Sequence, residues 1–387
     1  MIPPQGCSNC RISFEELDGI PVALKTEKKP GNPEDDRFAI ELDRLQLGIP
    51  NTVKLLKHGV LPDNRRYMVL ERLIPLEQVN KAKLINHLPT ILDDVAWAVR
   101  QWYLTGYHWV ARPKHVLLNN HNQAKLIDFN DDPESRDGFF DGNKYFDIRQ
   151  LIESICKIAG VDYEFYLNST ITNLITREYQ ALQNVHQPIY FSPYDSILRR
   201  ETDIKDPNYN KLVPANRKCK NRAKIIGPVL DKDSTILDIG CNVGWFCFYL
   251  ESKGLIPTGI DFDKGKIDFA NMIASLFEQK SSFQHMTVNP TTIENFDQFD
   301  YIMMLSILHL YILSESLNST EWWDMIQILS KKIDKAFIFE MAFPPQVRSS
   351  LGIPPTVYSK IKSIGNFQSL EILGRSENGR DIVIAHK

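Results

Sequence analysis

Hydrophobic residues in the second half of the chain follow two alternating periods. Short, continuous apolar runs predict β-strands, whereas apolar residues three or four positions apart predict amphipathic helices. Ile267, Ala270, Ile273 and Phe277 show the helical spacing. The pattern predicts strands at 235–239, 256–260, 283–288, 301–307 and 336–341, and helices at 245–253, 264–278 and 321–333.

Strands that alternate with helices in this way indicate a parallel sheet with helices on its faces. Residues 369–387 differ, because two strand-like segments flank the turn sequence Ser-Glu-Asn-Gly-Arg, which predicts a hairpin. A hairpin adds antiparallel strands to one edge of the sheet. The second half is therefore predicted to be an α/β domain with a seven-stranded sheet.

The first half of the chain has a different pattern. Short strands and turns are predicted over residues 1–75, and helices over 81–106 and 146–184, which indicates an α+β domain. Residues 186–218 lie between the halves, carry repeated prolines and show no sustained period, which is typical of a connector. We place the domain boundary near residue 205, with domains at 1–205 and 206–387.

Charge and cysteine content exclude several classes of function. The net charge of −3 argues against a nucleic-acid binder that relies on bulk positive charge. No apolar run is long enough for a membrane span, and the first residues lack the pattern of a signal peptide. Six cysteines in a chain of this size do not form a disulfide framework, so a reducing cytoplasm is expected. The oligomeric state is left open.

The sharpest motif joins an apolar strand directly to a helix, in the sequence Thr-Ile-Leu-Asp-Ile-Gly-Cys-Asn-Val-Gly-Trp-Phe at residues 235–246. Gly240 permits a tight turn and close approach of a ligand, and Asn242 and Gly244 complete that turn before the helix. Asp238 ends the strand with a negative charge. A carboxylate there suits a ligand that carries an ammonium and a sulfonium, and it would repel a pyrophosphate.

A second carboxylate follows the next predicted strand. Asp261 lies 23 residues after Asp238, where a carboxylate can accept hydrogen bonds from both ribose hydroxyls of a nucleoside. Phe262 is positioned to pack on an adenine face, and Asn289, after the third strand, is a candidate for an adenine contact. Two alternatives are a strand–helix turn with no ligand and a nicotinamide-binding domain, although the latter would want the pattern G-x-G-x-x-G.

These motifs resemble those of class I S-adenosylmethionine (SAM)-dependent methyltransferases, over about 175 residues including the terminal hairpin. The resemblance implies a Rossmann-like sheet with SAM as the cofactor. It also implies that Asp238, Gly240 and Gly244 contact the methionine end of SAM and that Asp261 binds its ribose. The acceptor site is expected beyond the carboxyl end of the fourth strand, where Ser306 and His309 lie.

His309 is a candidate catalytic residue facing the acceptor, or else a structural residue that starts a helix. Ser306 is placed nearer the cofactor, and Glu340, at the end of the fifth strand, is a weaker candidate for an acceptor contact. The basic run at 217–224 either attracts an anionic acceptor or forms a solvated helix face. An acceptor that is already anionic needs no base, whereas a hydroxyl or amine is helped by one.

Segments of the first half resemble a protein kinase. Lys25 stands in a sequence similar to the kinase strand whose lysine holds the nucleotide phosphates, and Glu41 is the candidate helix partner of that lysine. Asp128 stands in a segment similar to the kinase segment that binds the metal ion. The resemblance implies ATP with magnesium as a ligand. However, Val110 occupies the position of the catalytic aspartate, and His115 that of the second metal-binding asparagine. We therefore expect a pseudokinase-like domain, with another helix-and-strand fold as the alternative.

Cys7 and Cys10 form a CxxC sequence. A structural zinc ion takes four ligands, and no second pair is close in the sequence, so no metal site is predicted and a short loop is favoured.

A kinase-like module joined to a SAM methyltransferase is similar in content to bacterial enzymes that terminate polysaccharide chains. The leading hypothesis is a SAM-dependent methyltransferase that acts on a small-molecule or glycan-related acceptor. The alternatives are a bifunctional enzyme with an active, atypical kinase that uses Arg112, His115 and Asp128, and a non-catalytic protein that senses SAM or nucleotide.

Overall fold

The structure is a computed structural model, and it describes residues 10–29, 37–104, 115–127, 146–185, 217–277, 279–314, 316–376 and 378–387. The chain divides into two compact units, Met1–Arg177 and Glu178–Lys387. The boundary that we predicted near residue 205 lies outside the described residues. Among the helices that are described, none is long and apolar enough to cross a lipid bilayer.

The first unit contains an antiparallel sheet of four strands in the order β1-β2-β4-β3. Asp18 and Gly19 join the first two strands, and both have positive φ angles, of 52° and 78°. Such a two-residue turn matches the twist of a hairpin, and aspartate and glycine tolerate it best. The strands are β1 (Cys10–Leu17), β2 (Ile20–Glu27), β3 (Leu55–Val60) and β4 (Arg66–Glu71), and helix α1 (Arg37–Gln46) follows β2.

Longer helices make up much of the rest of the first unit. Helix α2 packs against α3 and against a small sheet of three short strands, and its buried side chains, such as Leu84, Leu88, Ile91 and Val95, recur at helical spacing. The predicted change from strands to helices is confirmed, whereas the small sheet was not predicted. The elements are β5 (Ile74–Pro75), α2 (Lys81–Leu104), β6 (Val116–Leu118), β7 (Ala124–Leu126), α3 (Phe146–Ala159) and α4 (Tyr163–Val185).

The second unit is built on a seven-stranded sheet in the order β10-β9-β8-β11-β12-β14-β13. The first five of these strands are parallel, and β14 runs antiparallel to both of its neighbours. The predicted α/β sheet of seven strands with an antiparallel hairpin is therefore confirmed. Its strands are β8 (Thr235–Ile239), β9 (Ile256–Asp261), β10 (Ser282–His285), β11 (Phe299–Leu305), β12 (Ile333–Glu340), β13 (Ser369–Arg375) and β14 (Asp381–His386).

Helices cover both faces of this sheet, and the strands alternate between the two cores. Ile236 packs with the helices at 217–226 and 245–251, whereas the next residue, Leu237, packs on the opposite face with the helices at 319–330 and 354–364. The helices are α5 (Arg217–Ile226), α6 (Trp245–Glu251), α7 (Lys264–Leu276), α8 (Pro290–Glu294), α9 (Leu310–Leu313), α10 (Ser319–Ser330), α11 (Pro345–Leu351) and α12 (Pro354–Ile364).

Several predicted boundaries in this unit differ from the structure by two or more residues, and two of them are wrong for local reasons. Ile333 was assigned to a helix, but it is the first residue of β12, because α10 starts earlier at its Asn318 cap and ends at Ser330. The strand predicted at 283–288 ends at His285, because the chain must turn to reach Asn289, which caps α8.

The order of the strands determines where a ligand can bind. From β8 the chain proceeds through β9 and β10 in one direction, and from β11 through β12 in the other. Between such diverging strands, the connections after their carboxyl ends leave a crevice. The residues that follow β8, β9, β11 and β12 are therefore the candidates for contacts with a ligand.

Candidate functional site

The turn after β8 has a backbone that only special residues adopt easily. Gly240, Asn242 and Gly244 have positive φ angles of 79°, 55° and 84°. A Cβ atom on Gly240 would lie 2.8 Å from Cγ2 of Ile307, and one on Gly244 would lie 2.6 Å from the ring of Phe283. The turn therefore packs directly against the segment that follows β11, and the two belong to one site.

Asp238, the candidate for the methionine end of the cofactor, is a buried carboxylate with a weak partner. Its side chain is 3% exposed, and among the described residues its hydrogen-bond donor is the Cys247 thiol, with Sγ 3.9 Å from Oδ2. Burial, and secondarily the negative charge of Asp261, raises the pKa of Asp238 to about 7. A cationic ligand group would stabilise this carboxylate.

Asp261 is held rigidly at the end of β9. Its Oδ2 accepts a hydrogen bond from the Asn242 N–H at 2.9 Å, and its Oδ1 accepts one from the Asp263 N–H at 3.0 Å. A carboxylate oxygen can accept more than one hydrogen bond, so both oxygens retain capacity for a ligand. The carboxylate thus links the β8 turn to the start of α7 and is oriented before any ligand arrives.

Tyr311, on helix α9, lies in the segment after the fourth strand, where the acceptor site is expected. Burial raises the pKa of Tyr311 to about 12, and the negative charge of Asp261 is the second cause, which places the phenol near that carboxylate.

The two residues that were expected near adenine differ in whether their side chains are available for a ligand. Phe262 is 69% exposed, with Lys266 Nζ 6.0 Å from the centre of its ring, so one large aromatic surface is open for stacking. Asn289 caps helix α8: its Oδ1 accepts a hydrogen bond from the Thr292 N–H at 3.0 Å, and its own N–H donates to Thr292 Oγ1 at 2.9 Å. Its side-chain oxygen is therefore already engaged.

Ser306 follows β11 with a positive φ angle of 61°. Its N–H donates to the Glu340 carbonyl at 2.9 Å, which fixes this turn to the end of β12. Its Oγ accepts hydrogen bonds from Arg222 Nη2 and from Arg380 Nη1, each at 3.1 Å. The hydroxyl therefore lies between two guanidinium groups, neither of which was predicted to reach it.

His309 is the N-cap residue of α9 and is 5% exposed. Its Nδ1 accepts a hydrogen bond from the Ala342 N–H at 3.4 Å, which leaves the imidazole proton on Nε2. Burial, together with the positive charge of Arg380, lowers the pKa of His309 to about 4. At neutral pH the ring is uncharged, and it presents a donor rather than a base.

Glu340 and Arg222 form a buried ion pair. The N···O distances are 2.5 Å from Nε to Oε2 and 3.0 Å from Nη2 to Oε1, and Ser376 Oγ donates to Oε1 at 2.9 Å. The Glu340 side chain is fully buried. The suggested acceptor contact of Glu340 is therefore wrong, and α5 is not a wholly solvated basic face, because Arg222 points inward.

In the first unit the structure brings Lys25 and Glu41 together. Lys25 Nζ lies 2.5 Å from Glu41 Oε2, and the two side chains are 6% and 3% exposed. Asp128 and Arg112 lie outside the described residues, as does Cys7. Within the described part of the chain, no group of three or more His, Cys, Asp or Glu side chains could hold a metal ion.

No protein-family model and no curated protein matches the sequence. Among solved structures, the bifunctional kinase-methyltransferase WbdD is similar at 20% identity, over 53% of this chain and 45% of that chain, with a TM-score of 0.41. The match thus spans less than half of the WbdD chain.

A second similar structure is the magnesium protoporphyrin IX methyltransferase (ChlM) from Synechocystis PCC 6803 with bound SAM. It is 16% identical over 55% of this chain and 97% of that chain, with a TM-score of 0.35. The PH0226 protein from Pyrococcus horikoshii OT3 is 16% identical over 51% of this chain and 99% of that chain, with a TM-score of 0.32. Two of these three proteins are methyltransferases by name, and the likeness concerns the fold.

Proposed function

We propose that the second unit binds SAM and transfers its methyl group to an anionic acceptor. The observation that carries this proposal is Asp238, a buried carboxylate without a cation among the described residues, beside a second carboxylate, Asp261, that is already oriented. A ligand with a positive group near one end and a ribose diol further along complements this pair. A buried charge is otherwise costly, so a cationic ligand is the simplest reason for Asp238 to be there.

The residues that would hold SAM follow from this complementarity. Asp238 would take the positively charged methionine end, Asp261 the ribose hydroxyls and Phe262 the adenine face, and the glycines keep side chains out of the turn. When bound, SAM supplies a methyl carbon that the acceptor's lone pair attacks while the C–S bond breaks and its electrons stay on sulfur. Positioning of the two reactants supplies much of the rate of such a transfer.

In the described part of the chain, neither His309 nor Ser306, the two candidates at the acceptor position, is placed to act as a base. His309 Nδ1 already accepts the Ala342 N–H, and Ser306 Oγ accepts from two guanidinium groups. A neutral hydroxyl acceptor would have to lose a proton, whereas an anionic acceptor would not. We therefore propose an anionic acceptor, and a glycan-related one on the resemblance in module content.

Thermal unfolding of the purified chain with single ligands tests this function. A ligand that binds only the native state stabilises it, by about 2.7 kcal/mol at a concentration one hundred times its Kd. We expect the melting temperature to rise with SAM and with S-adenosylhomocysteine, and to stay unchanged with NAD. If saturating SAM left the melting temperature where it was, the turn after β8 would be a structural corner only.

A pH dependence of cofactor binding is a second expectation. Because the pKa of Asp238 is about 7 without ligand, acidification protonates the carboxylate that the ligand's cation requires. The affinity for S-adenosylhomocysteine should therefore fall as the pH is lowered from about 7.5 to 6, by up to about tenfold per pH unit below the pKa. Titration calorimetry at several pH values measures this directly.

The Asp238→Asn variant distinguishes the effect of this carboxylate's titration from that of other titrating groups. The variant should bind S-adenosylhomocysteine weakly, with little change over the same pH range. Because the pKa of Asp238 is raised on folding, its ionisation destabilises the folded state as the pH rises from about 4 to 7, so the ligand-free variant should melt higher than the wild type at about pH 8. An equal pH dependence in variant and wild type would assign the effect to another group.

For the first unit we propose binding of a nucleotide, substrate or partner without phosphotransfer. The buried Lys25–Glu41 pair favours a nucleotide, since such a pair holds a lysine ammonium in a fixed position inside the fold. ATP with magnesium, added in the same melting experiment, should raise the melting temperature of the wild type and not that of Lys25→Met. Release of labelled phosphate from ATP would favour the active-kinase alternative instead.

A further inference from the structure

The turn between β13 and β14 lies at the same edge of the sheet as the candidate cofactor site. β14 pairs with the end of β12, since Ile382 is opposite Glu340, and Arg375 is opposite Asp381 in the hairpin itself. Ser376, the first residue of the turn, donates its hydroxyl to Glu340 Oε1 at 2.9 Å. The turn that carries Arg380 is thus fastened to the carboxyl end of β12.

The two guanidinium groups at Ser306 differ in how their charges are balanced. Arg222 is paired with Glu340 through two short N···O distances, 2.5 and 3.0 Å. Arg380 has its hydrogen bond to Ser306 Oγ at 3.1 Å, and in the described part of the chain no carboxylate lies within 4.0 Å of it. Among the described residues, the positive charge of Arg380 is therefore not balanced by an ion pair.

The remaining N–H groups of Arg380 are available, because a guanidinium carries a fork of donors and one is used by Ser306. The side chain is half-buried, so it is reachable from solvent but partly shielded from it. The Ser306 hydroxyl accepts two hydrogen bonds, and among the described residues no acceptor takes its own proton. Donors on a fixed, positively charged fork match an oxyanion, which such a fork binds through paired hydrogen bonds.

We propose that Arg380 binds the methyl acceptor through an oxyanion of that acceptor, with Ser306 holding the guanidinium in place. The inference rests on the proposed function, which supplies the reason for an acceptor to lie beside the turn after β8. It adds the residue that selects the acceptor. The oxyanion belongs to a phosphate or to a carboxylate, and the two are distinguished by experiment.

The test measures binding of inorganic phosphate and of acetate, in separate titrations, to the full chain saturated with S-adenosylhomocysteine. We expect one of the two probes to bind the wild type, and Arg380→Gln to weaken that binding at least about tenfold, since hydrogen bonds to a charged group contribute about 1.5–3 kcal/mol. Arg380→Lys, which keeps the charge but loses the fork, should restore part of the affinity.

Arg375→Gln is the matched control. Arg375 lies on the same hairpin, with its side chain 75% exposed and paired to Asp381 at 3.2 Å, and its replacement should leave both probe titrations unchanged. The affinity for S-adenosylhomocysteine should be the same in all variants, which also shows that they are folded.

Two results would overturn the inference: equal probe binding by Arg380→Gln and the wild type, or no binding of either probe to the wild type at tens of millimolar. Failure of the wild type to bind S-adenosylhomocysteine would contradict the proposed function itself, and the two failures are therefore distinguishable.

Discussion

Replacing Glu340 by alanine is expected to lower the free energy of unfolding by about 3–5 kcal/mol, the usual loss when one partner of a buried ion pair is removed. The Glu340 side chain is fully buried, and that of Arg222 is 8% exposed. Without the carboxylate, the guanidinium stays in the interior with no counter-charge. The Ser376 hydroxyl loses its acceptor as well, so the turn after β13 should loosen.

Denaturant unfolding followed by tryptophan fluorescence measures this loss. Glu371→Ala is the control, because that glutamate lies on β13 with its side chain 61% exposed and only a distant partner, His386 at 3.6 Å; its replacement should change stability by about 0.5 kcal/mol or less. The double variant Arg222→Met, Glu340→Leu should recover most of the stability, since an apolar pair can replace a buried ion pair. If Glu340→Ala lost no more than Glu371→Ala, the pair would not stabilise the fold.

Asp261→Ala should reduce the affinity for SAM and S-adenosylhomocysteine by at least about a hundredfold. The carboxylate offers the acceptor oxygens for two ligand hydroxyls, and each hydrogen bond to a charged group contributes about 1.5–3 kcal/mol. Its removal also frees the Asn242 and Asp263 N–H groups that it now fixes, so the turn after β8 loses its link to α7. Titration calorimetry with S-adenosylhomocysteine measures the change.

Asp268→Asn provides the comparison for this variant. Asp268 lies on α7 and forms a surface pair with Lys264 at 2.6 Å, with the lysine side chain 66% exposed, so its replacement removes a nearby negative charge without touching the site. Its affinity for S-adenosylhomocysteine should match the wild type. An Asp261→Ala protein that is folded and binds with unchanged affinity would disprove the ribose role of Asp261.

The second unit could be predicted from sequence in most respects because its signals are local. A change of hydrophobic period marks each strand and helix. The turn from Asp238 to Gly244 is one continuous stretch of sequence that contains both glycines and the candidate carboxylate. The structure shows positive φ angles at the glycines and at Asn242, as a tight turn requires. Two of the boundary errors arose where a helix cap, Asn318 or Asn289, overrode the apolar pattern.

The residues that could not be predicted act over long sequence distances. Arg222 and Arg380 reach Ser306 from 84 and 74 positions away. In the sequence, Arg222 is one of several basic residues in a short run, and nothing local distinguishes the one that points inward. From the sequence, Arg380 is identified only as one residue of a polar turn. Their roles appear once the strand order brings α5 and the β13–β14 turn to the end of β12.

In the first unit the prediction relied on resemblance rather than on periodicity. Lys25 and Glu41, 16 positions apart, do form a buried pair. The kinase-like fold stays a prediction, as does the role of Asp128. The two compact units divide between Arg177 and Glu178, whereas the boundary predicted near residue 205 lies outside the described residues and stays a prediction.

The position of β14 has a consequence for synthesis of the protein. It follows β13 in the chain, yet it lies inside the sheet, between β12 and β13. While a nascent chain is emerging, the outer edge of β12 therefore has no partner until residue 386 has left the ribosome. An unpaired strand edge is a template for wrong pairing with other chains, so the interval between translation of β12 and of β14 is when this unit is most exposed to aggregation.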